Sequence, residues 1–277
     1  PWRKHTLIGT TDTPYDGDPD DYRVTGEAIS ALIDEVNASF DGLELTRADV
    51  RHAYGGLRPL VGEIEGAAKA DRKLDGETYT ASRRFEIRDC AEAGLDGLIT
   101  VEGGKWTTSR ALAEKVVDHL WKRTRLAMGR SISARQYLAH SAIREMKVFE
   151  AEIVAAHPET APETMACLGR YYGTAYDRVL ALAEADPNLG LPLNADGEIL
   201  AQVVYAVRGE MAQSLLDIVL RRTGIATLGH PGRAVLEKVA AVAGDELGWD
   251  AERRQAELSM AEDFLRVPCD SENTACK

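Results

Sequence analysis

The residues best suited to chemistry in this sequence are the two glycines and the lysine of Gly103-Gly104-Lys105, which lie between a strand pattern and a helix pattern. Glycines let a ligand approach the backbone closely, and the lysine adds a full positive charge. The beginning of a helix offers unsatisfied backbone N–H groups and the positive end of its dipole, so this position suits an anionic group. A tight turn with an exposed lysine is the alternative. The spacing is not that of a Walker A loop, and no Gly-x-Gly-x-x-Gly occurs in the chain.

Two further segments carry arginines in positions that suit a phosphate or a carboxylate. Arg58 follows Gly55-Gly56-Leu57, and Pro59 disfavours helical geometry at this arginine. A guanidinium held in an extended segment is a planar fork for either anion. Arg83 and Arg84 enter a strand pattern and supply further guanidinium groups. A surface arginine is the alternative at Arg58, and the spacing does not show whether the arginines converge.

An acidic turn at residues 12–21 places oxygen ligands where a calcium-binding EF-hand loop needs them, with Glu27 at the last position. The sixth position is Asp21, where the sharp turn requires glycine, and the eighth is Arg23, where a small apolar residue is usual. We therefore interpret the segment as a solvated turn and predict no metal site. A calcium-binding protein is the disfavoured alternative.

The composition limits the classes of function. Lys and Arg number 33 against 45 Asp and Glu, and the net charge of -12 argues against a nucleic-acid-binding surface. Hydrophobic content of 44% with 28% charged residues is typical of a folded globular chain. Four scattered cysteines predict free thiols in a reducing cytoplasm. The start at Pro1-Trp2, without a methionine, leads us to expect a piece of a longer protein.

The elements that must position these residues change in character near residue 130. Before it, strands are predicted at 6–11, 84–88 and 98–101, the last of them buried. A helix is predicted over 26–39 with Thr25 as its N-cap, and Thr46 with Asp49 resembles a capping box that opens a helix ending at Gly55. A further amphipathic helix follows Lys105.

From about residue 130 onward the apolar spacing is helical. Thr174 with Asp177 forms another capping-box pattern, and Gly173 lies where the preceding helix needs a C-terminal glycine. The predicted helices cover 131–156, 162–172, 174–185, 196–208, 210–222, 231–243 and 249–265. We therefore predict an α/β or α+β portion over 1–128 and an all-α domain over 129–277.

Taken in chain order, the motifs resemble those of one family, the FAD-dependent glycerol-3-phosphate dehydrogenases and the related α-glycerophosphate oxidases. The resemblance extends over nearly the whole chain. It rests on residues 8–19, 56–60, 82–83, 103–110, 171–173 and 203–212. It implies that residues 1–128 are the distal part of the FAD and substrate domains, and that 129–277 is the family's C-terminal helical domain. Enzymes of this family begin with an FAD-binding segment that carries the glycine fingerprint, and this chain resembles only the portion after it.

The resemblance also implies roles for individual residues. Lys105 matches the family's catalytic lysine beside the flavin and the substrate. Arg58 matches the arginine that lines the substrate site, and Arg83, with Arg84 as the alternative choice, matches the one that helps to bind the phosphate. The loop formed by Gly103, Gly104, Lys105, Thr107 and Thr108 matches the family's loop that contacts the cofactor. The catalytic base is expected in the segment that precedes the matched portion.

The implied activity is the oxidation of sn-glycerol 3-phosphate to dihydroxyacetone phosphate with FAD, with this chain inactive by itself. A quinone as electron acceptor, a homodimer, and peripheral association with the inner face of the cytoplasmic membrane are further expectations from the family. Nucleic acid is not an expected partner. The alternative function is a helical interaction module without catalysis of its own.

Overall fold

The computed structural model describes residues 1–57, 85–124 and 129–269, and it divides into two compact units. The first unit contains Pro1–Arg23 and Gly55–Gln136, and the second contains Val24–Tyr54 and Tyr137–Lys277. The break at 136/137 lies close to the predicted domain boundary at 128/129, which remains a prediction. Residues 24–54 belong with the helical unit, although the sequence pattern grouped them with the N-terminal portion.

The first unit contains a two-stranded antiparallel sheet and one long helix. Strand β1, Phe85–Asp89, pairs with β2, Ile99–Gly103, in a register that places Phe85 opposite Gly103 and Asp89 opposite Ile99. Helix α2, Ser109–Thr124, follows β2, and helix α1, Gly26–Ser39, belongs to the second unit. The strands predicted at 84–88 and 98–101 are thus confirmed, with small shifts at their ends.

Two predictions for the first unit are wrong. Residues 6–11 form no strand, because a strand needs a pairing partner and local sequence does not reveal one. Strand β2 is not buried, since Val101 and the adjoining Leu98 are 43% and 46% exposed. Among its described residues, the first unit has no buried side chain. The structure therefore supports a small sheet in a mostly helical protein and does not establish an α/β N-terminal portion.

The second unit is built almost entirely from helices. Besides α1 they are α3 (Met146–Ala156), α4 (Pro162–Tyr172), α5 (Tyr176–Ala185), α6 (Ala201–Glu210), α7 (Arg233–Leu247) and α8 (Ala251–Phe264), with a π-helix at Asp217–Arg222 between α6 and α7. The predicted limits of α1 and α4 are confirmed at both ends. Thr25 caps α1 as predicted, because its hydroxyl accepts from the backbone N–H of Ala28 at 3.2 Å.

Some helix predictions in this unit need correction. The long helix predicted over 131–156 begins only at Met146, and the residues before it form a short 3-10 turn, Ser133–Arg135, and irregular backbone. The carboxylate of Asp49 accepts from the Thr46 N–H at 2.8 Å, but the helix it opens is a single turn, Arg47–Asp49. Thr174 makes no capping bond with its side chain, and its hydroxyl instead lies 3.5 Å from Nδ1 of His140.

Two apolar clusters form the interior of the second unit. One joins α6, the π-helix, α7 and α8 and includes Leu215, Ile218 and Leu236. The other joins α3, α4 and α5 and includes Met165 and Leu168. All five of these side chains are at 0% exposure, so each cluster excludes water fully. The predicted helical C-terminal portion therefore has its own hydrophobic interior.

The C-terminal end of α4 is fixed to a loop that precedes α3. Gly173 ends the helix with φ 54°, and the N–H of the next residue, Thr174, donates to the carbonyl of His140 at 3.0 Å. His140 itself has φ 63°, a left-handed conformation that is uncommon for a residue with a side chain. This bond joins residues 34 positions apart and holds the loop at 137–143 against the helix end.

The cysteines differ from the expectation of free thiols in one case. Cys90 and Cys167 are not disulfide-bonded, and Cys167 is buried. Cys269 is disulfide-bonded, so the expectation is wrong for this residue, because the lack of a multi-cysteine framework does not exclude a single bridge. None of the helices in the described part of the chain is long and apolar enough to cross a membrane.

Candidate functional site

The Gly103-Gly104-Lys105 segment forms the loop from the end of β2 to the start of α2. Lys105 has extended backbone angles, φ -132° and ψ 148°, and is followed by a 3-10 turn, Trp106–Thr108. Its carbonyl accepts from the backbone N–H of Thr108 at 3.1 Å and from the Thr108 hydroxyl at 3.2 Å. These hydrogen bonds close the turn that follows Lys105, and the backbone of Lys105 itself is extended.

Backbone geometry requires the two glycines, in addition to the close approach to the backbone that they allow a ligand. Gly103 and Gly104 have φ of 72° and 97°, which side-chain-bearing residues rarely adopt. A Cβ at Gly104 would also lie 3.1 Å from Cδ2 of Leu112 in α2. Together these features bring the loop close to the helix and leave its outer side without side chains at two successive positions. The sequence argument gave access as the only reason for the glycines.

Helix α2 is held on the hairpin by contacts at both of its ends. Near its start, Leu112 lies against Gly104, and the Lys115 ammonium lies 4.9 Å from the centroid of the Phe85 ring. Near its end, Arg123 forms ion pairs with Asp89, the last residue of β1, and with Asp96 in the connection between the strands. These contacts fix the loop that carries Lys105, because both elements that it joins are fixed to each other.

The Asp89 carboxylate has two roles at the end of β1. It accepts from the backbone N–H of Ala91 at 3.0 Å and from the guanidinium of Arg123. The Ala91 N–H first, and Arg123 second, hold the pKa of Asp89 below its ordinary value. The same pairing raises the pKa of Arg123. The sequence gave no signal for this clamp, since Asp89 and Arg123 are 34 residues apart.

The side chains presented by the loop are open to solvent. Lys105, Thr107 and Thr108 are exposed, and Trp106 is 95% exposed. Arg110, one turn further on, is bound to Glu114 at 2.7 Å and to the Ser133 hydroxyl at 2.9 Å. An ammonium beside uncovered glycine backbone can bind and stabilise a negatively charged planar or phosphorylated group.

The predicted site residues differ in what the structure says of them. It brings Gly103, Gly104, Lys105, Thr107 and Thr108 together in one loop. The three predicted arginines, at positions 58, 83 and 84, lie outside the described residues, so their convergence on this loop stays a prediction. Sequence reasoning did not single out Trp106, although a large aromatic residue next to a candidate lysine was a visible signal.

A family model matches residues 145–254, and it describes the C-terminal domain of alpha-glycerophosphate oxidase. This range begins one residue before α3 and ends inside α8, so it covers most of the second unit. The helical part of the chain therefore has the sequence features of that domain.

Curated relatives match nearly the whole chain. A glycerol-3-phosphate dehydrogenase of Synechocystis is 32% identical over 275 residues, which are 97% of this chain and 47% of that protein. Glycerol-3-phosphate dehydrogenase 2 of Mycobacterium bovis is 33% identical over 91% of this chain and 41% of its own length. The chain thus spans somewhat less than half the length of these two relatives.

A solved structure has the same fold. It is the crystal structure of the glycerol-3-phosphate dehydrogenase from Bacillus halodurans complexed with FAD, with a TM-score of 0.72 and 26% identity, covering 96% of this chain and 50% of that one. Residues 145–254 therefore match the C-terminal domain of alpha-glycerophosphate oxidase, and over nearly its whole length the chain is similar to glycerol-3-phosphate dehydrogenases.

Proposed function

We propose that this chain is part of an FAD-dependent enzyme that oxidises sn-glycerol 3-phosphate to dihydroxyacetone phosphate. One observation carries the proposal: a relative of glycerol-3-phosphate dehydrogenases presents Lys105 on a glycine loop held between a strand and a helix. The alternative, a helical interaction module, uses only the second unit and gives no reason for this loop.

The loop fits the edge of a flavin. Two successive glycines with positive φ leave backbone that a flat ring can approach, and the exposed Lys105 ammonium lies at the next residue. FAD, when bound, supplies the acceptor for the hydride that leaves C2 of the substrate. Lys105 would place a fixed positive charge beside the ring and the reacting carbon, where negative charge develops during the reaction. Thr107 and Thr108 would add hydroxyl groups to the same edge.

The substrate phosphate would be held by Arg58 and Arg83. A phosphate dianion needs donors in fixed positions, and a planar guanidinium provides two parallel hydrogen bonds. Anchoring the phosphate end aligns C2 for oxidation at the other end of a small molecule. In a chain with a net charge of -12, such a local pair of arginines is what would attract an anionic substrate.

Replacing Arg58 by Lys tests the role of this arginine. The charge is kept but the planar fork is lost, so we expect kcat/KM for glycerol 3-phosphate to fall roughly ten- to a hundredfold, about 1.5–3 kcal/mol. Steady-state kinetics measure the effect, and Arg51→Lys, outside the predicted motifs, serves as the control. Unchanged kcat/KM in the Arg58 variant would remove this residue from the substrate site.

The proposed activity is tested by joining this chain to the N-terminal half of the Synechocystis dehydrogenase. The joined protein is expected to bind FAD, to absorb visible light as a flavoprotein and to oxidise glycerol 3-phosphate. The 277-residue chain alone is expected to be colourless and inactive, since no Gly-x-Gly-x-x-Gly is present to bind the pyrophosphate. A folded, flavin-containing joined protein that fails to oxidise glycerol 3-phosphate would refute the proposal. Turnover by the chain alone would refute the expectation that the chain is inactive without the N-terminal half.

Further properties are proposed on the strength of the resemblance. The electron acceptor is a quinone, the enzyme forms a homodimer, and it lies in the cytoplasm, peripherally attached to the inner face of the cytoplasmic membrane. The absence of a membrane-crossing helix from the described residues is compatible with this arrangement.

A further inference from the structure

We infer that Gly229, in the loop between the π-helix and α7, is a positioning residue for substrate binding. It acts through residues 45–54, which we call the 45–54 segment and which belong to the helical unit. Arg58 follows the last residue of this segment by four positions in the sequence. The inference rests on the role proposed above for Arg58 and gives the helical unit a part in binding the substrate.

The beginning of the 45–54 segment is bound to both ends of the helical unit's sequence. The side-chain amide of Asn37 in α1 donates to the Leu45 carbonyl at 2.9 Å, and its oxygen accepts from the Leu45 N–H at 2.8 Å. Two residues further on, the guanidinium of Arg47 donates to the carbonyl of Pro268, which follows α8. The segment is therefore attached to the helices and is not a free connection.

The end of the 45–54 segment lies against the backbone of Gly229. A Cβ at this glycine would lie 2.4 Å from the carbonyl oxygen of Arg51 and 3.4 Å from Cβ of His52. Gly229 is buried and has φ 101°. Only a glycine allows two main chains to approach this closely. The contact uses the main chain of Arg51, whose side chain is exposed.

The loop that carries Gly229 is held by the hydrophobic interior. Ile225 and Ala226 are 4% and 0% exposed and belong to the cluster that joins α6, the π-helix, α7 and α8. The Ala226 N–H donates to the carbonyl of Val219 at 2.9 Å, and the Gly229 N–H donates to the Ala226 carbonyl at 3.0 Å. A side chain at Gly229 would therefore displace the 45–54 segment, whose neighbouring residues are exposed or half-buried, before it displaced the loop.

The connection from this contact to Arg58 is short. Four residues span at most about 14 Å when fully extended, so a fixed backbone at Tyr54 limits where Arg58 can lie. Gly55 and Gly56 stand between them, and glycine has more conformational freedom than any other residue, so the arginine needs an anchor before them. A misplacement of about 1 Å far from the reacting atoms can lower an enzyme's rate on the order of a hundredfold. The contact at Gly229 supplies this anchor.

A second glycine in the same loop is a matched control. Gly232 has φ 97°, close to that of Gly229, but a Cβ there would meet no atom within 4 Å. Gly232→Ala therefore imposes a positive φ on alanine in the same loop without touching the 45–54 segment. A variant that only folds less well has fewer active molecules, which lowers kcat and leaves KM unchanged. A displaced substrate-binding residue raises KM.

The test is the steady-state kinetics of the joined enzyme with glycerol 3-phosphate. We expect Gly229→Ala to raise KM roughly tenfold and Gly232→Ala to leave it unchanged. In an Arg58→Lys background, Gly229→Ala should add clearly less than its own effect, because both changes act on one interaction. Arg47→Gln removes the bond to Pro268 without adding a clash, and it should raise KM as well, which decides the question if Gly229→Ala does not fold.

Limited proteolysis of the 277-residue chain measures the attachment of the segment without cofactor or substrate. Trypsin cleaves after Arg51, whose carbonyl contacts Gly229. Since cleavage tracks the population in which a segment is detached, it should be severalfold faster in Gly229→Ala than in Gly232→Ala. Mass spectrometry of the fragments identifies the cleavage site, and circular dichroism establishes that both variants are folded.

The outcomes separate this inference from the proposed function. Equal KM in folded Gly229→Ala and Gly232→Ala enzymes overturns the inference and leaves the oxidation of glycerol 3-phosphate standing. Full additivity with Arg58→Lys also overturns it, because the segment would then not act through that arginine. Equal cleavage after Arg51 overturns the attachment itself. A joined protein that contains flavin and has no activity refutes the proposed function, and the inference falls with it.

Discussion

Replacing Lys105 by Met in the joined enzyme is expected to slow reduction of the flavin by roughly a hundred- to a thousandfold. The ammonium is the charged group of a loop whose two preceding residues have no side chains, so nothing else in the loop replaces its charge. Removing one preorganised electrostatic donor from a reacting centre typically costs about 2.7–4 kcal/mol of transition-state stabilisation. The variant should also have a lower flavin reduction potential, because the reduced ring loses a neighbouring positive charge.

Anaerobic rapid mixing with glycerol 3-phosphate measures the reduction rate, and spectroelectrochemistry measures the potential. Lys122→Met is the matched control, since this lysine lies in the same unit but in the last turn of α2, at the end of the helix far from the glycine loop. It is expected to leave both quantities close to those of the parent enzyme. If Lys105→Met also left both unchanged, Lys105 would have no place beside the flavin, even though the chain would remain a relative of the dehydrogenases.

Local sequence patterns predicted the helices whose ends are determined locally. Helix α1 begins where the Thr25 hydroxyl caps it, and α4 begins at Pro162 and ends before Gly173, all of which can be recognised within a few residues. The irregular stretch before α3 was missed because its turn is held by Thr174, far along the chain. Apolar periodicity continues through that stretch without forming a helix, since a distant contact decides its backbone.

The candidate site also combines features that local sequence predicts with features that distant contacts decide. The place of Gly103-Gly104-Lys105 between a strand and a helix follows from neighbouring patterns, and the structure has it there. The positive φ of both glycines and the clamp of Arg123 on Asp89 depend on how α2 packs on the hairpin, which no spacing rule contains. The predicted strand at 6–11 failed for a related reason, since strand pairing is a non-local property.

Replacing Gly173 by Ala is expected to lower the free energy of unfolding by about 3 kcal/mol. A Cβ at this position would lie 2.0 Å from the carbonyl oxygen of His140, which is backbone and cannot rotate away. The backbone angles, φ 54° and ψ -133°, also belong to a region that side-chain-bearing residues avoid, at a cost of order 1–3 kcal/mol. Steric overlap with a fixed neighbour adds typically 1–3 kcal/mol. Urea unfolding of the 277-residue chain, followed by its helical circular dichroism, measures the loss.

Gly248→Ala separates the two contributions. Gly248 ends α7 with φ 69°, but a Cβ there would meet no atom within 4 Å, so the only cost in this variant is the left-handed backbone of a residue with a side chain, about 1–2 kcal/mol. The excess loss in Gly173→Ala then reports the contact with His140 together with the rarer backbone angles of Gly173, and so how firmly the turn in the loop at 137–143 is held. Equal losses in the two variants would mean that the turn yields easily. The fixed position assigned to the loop at 137–143 would then be wrong, because a loop that moves aside for one methyl group is not held firmly against the end of α4.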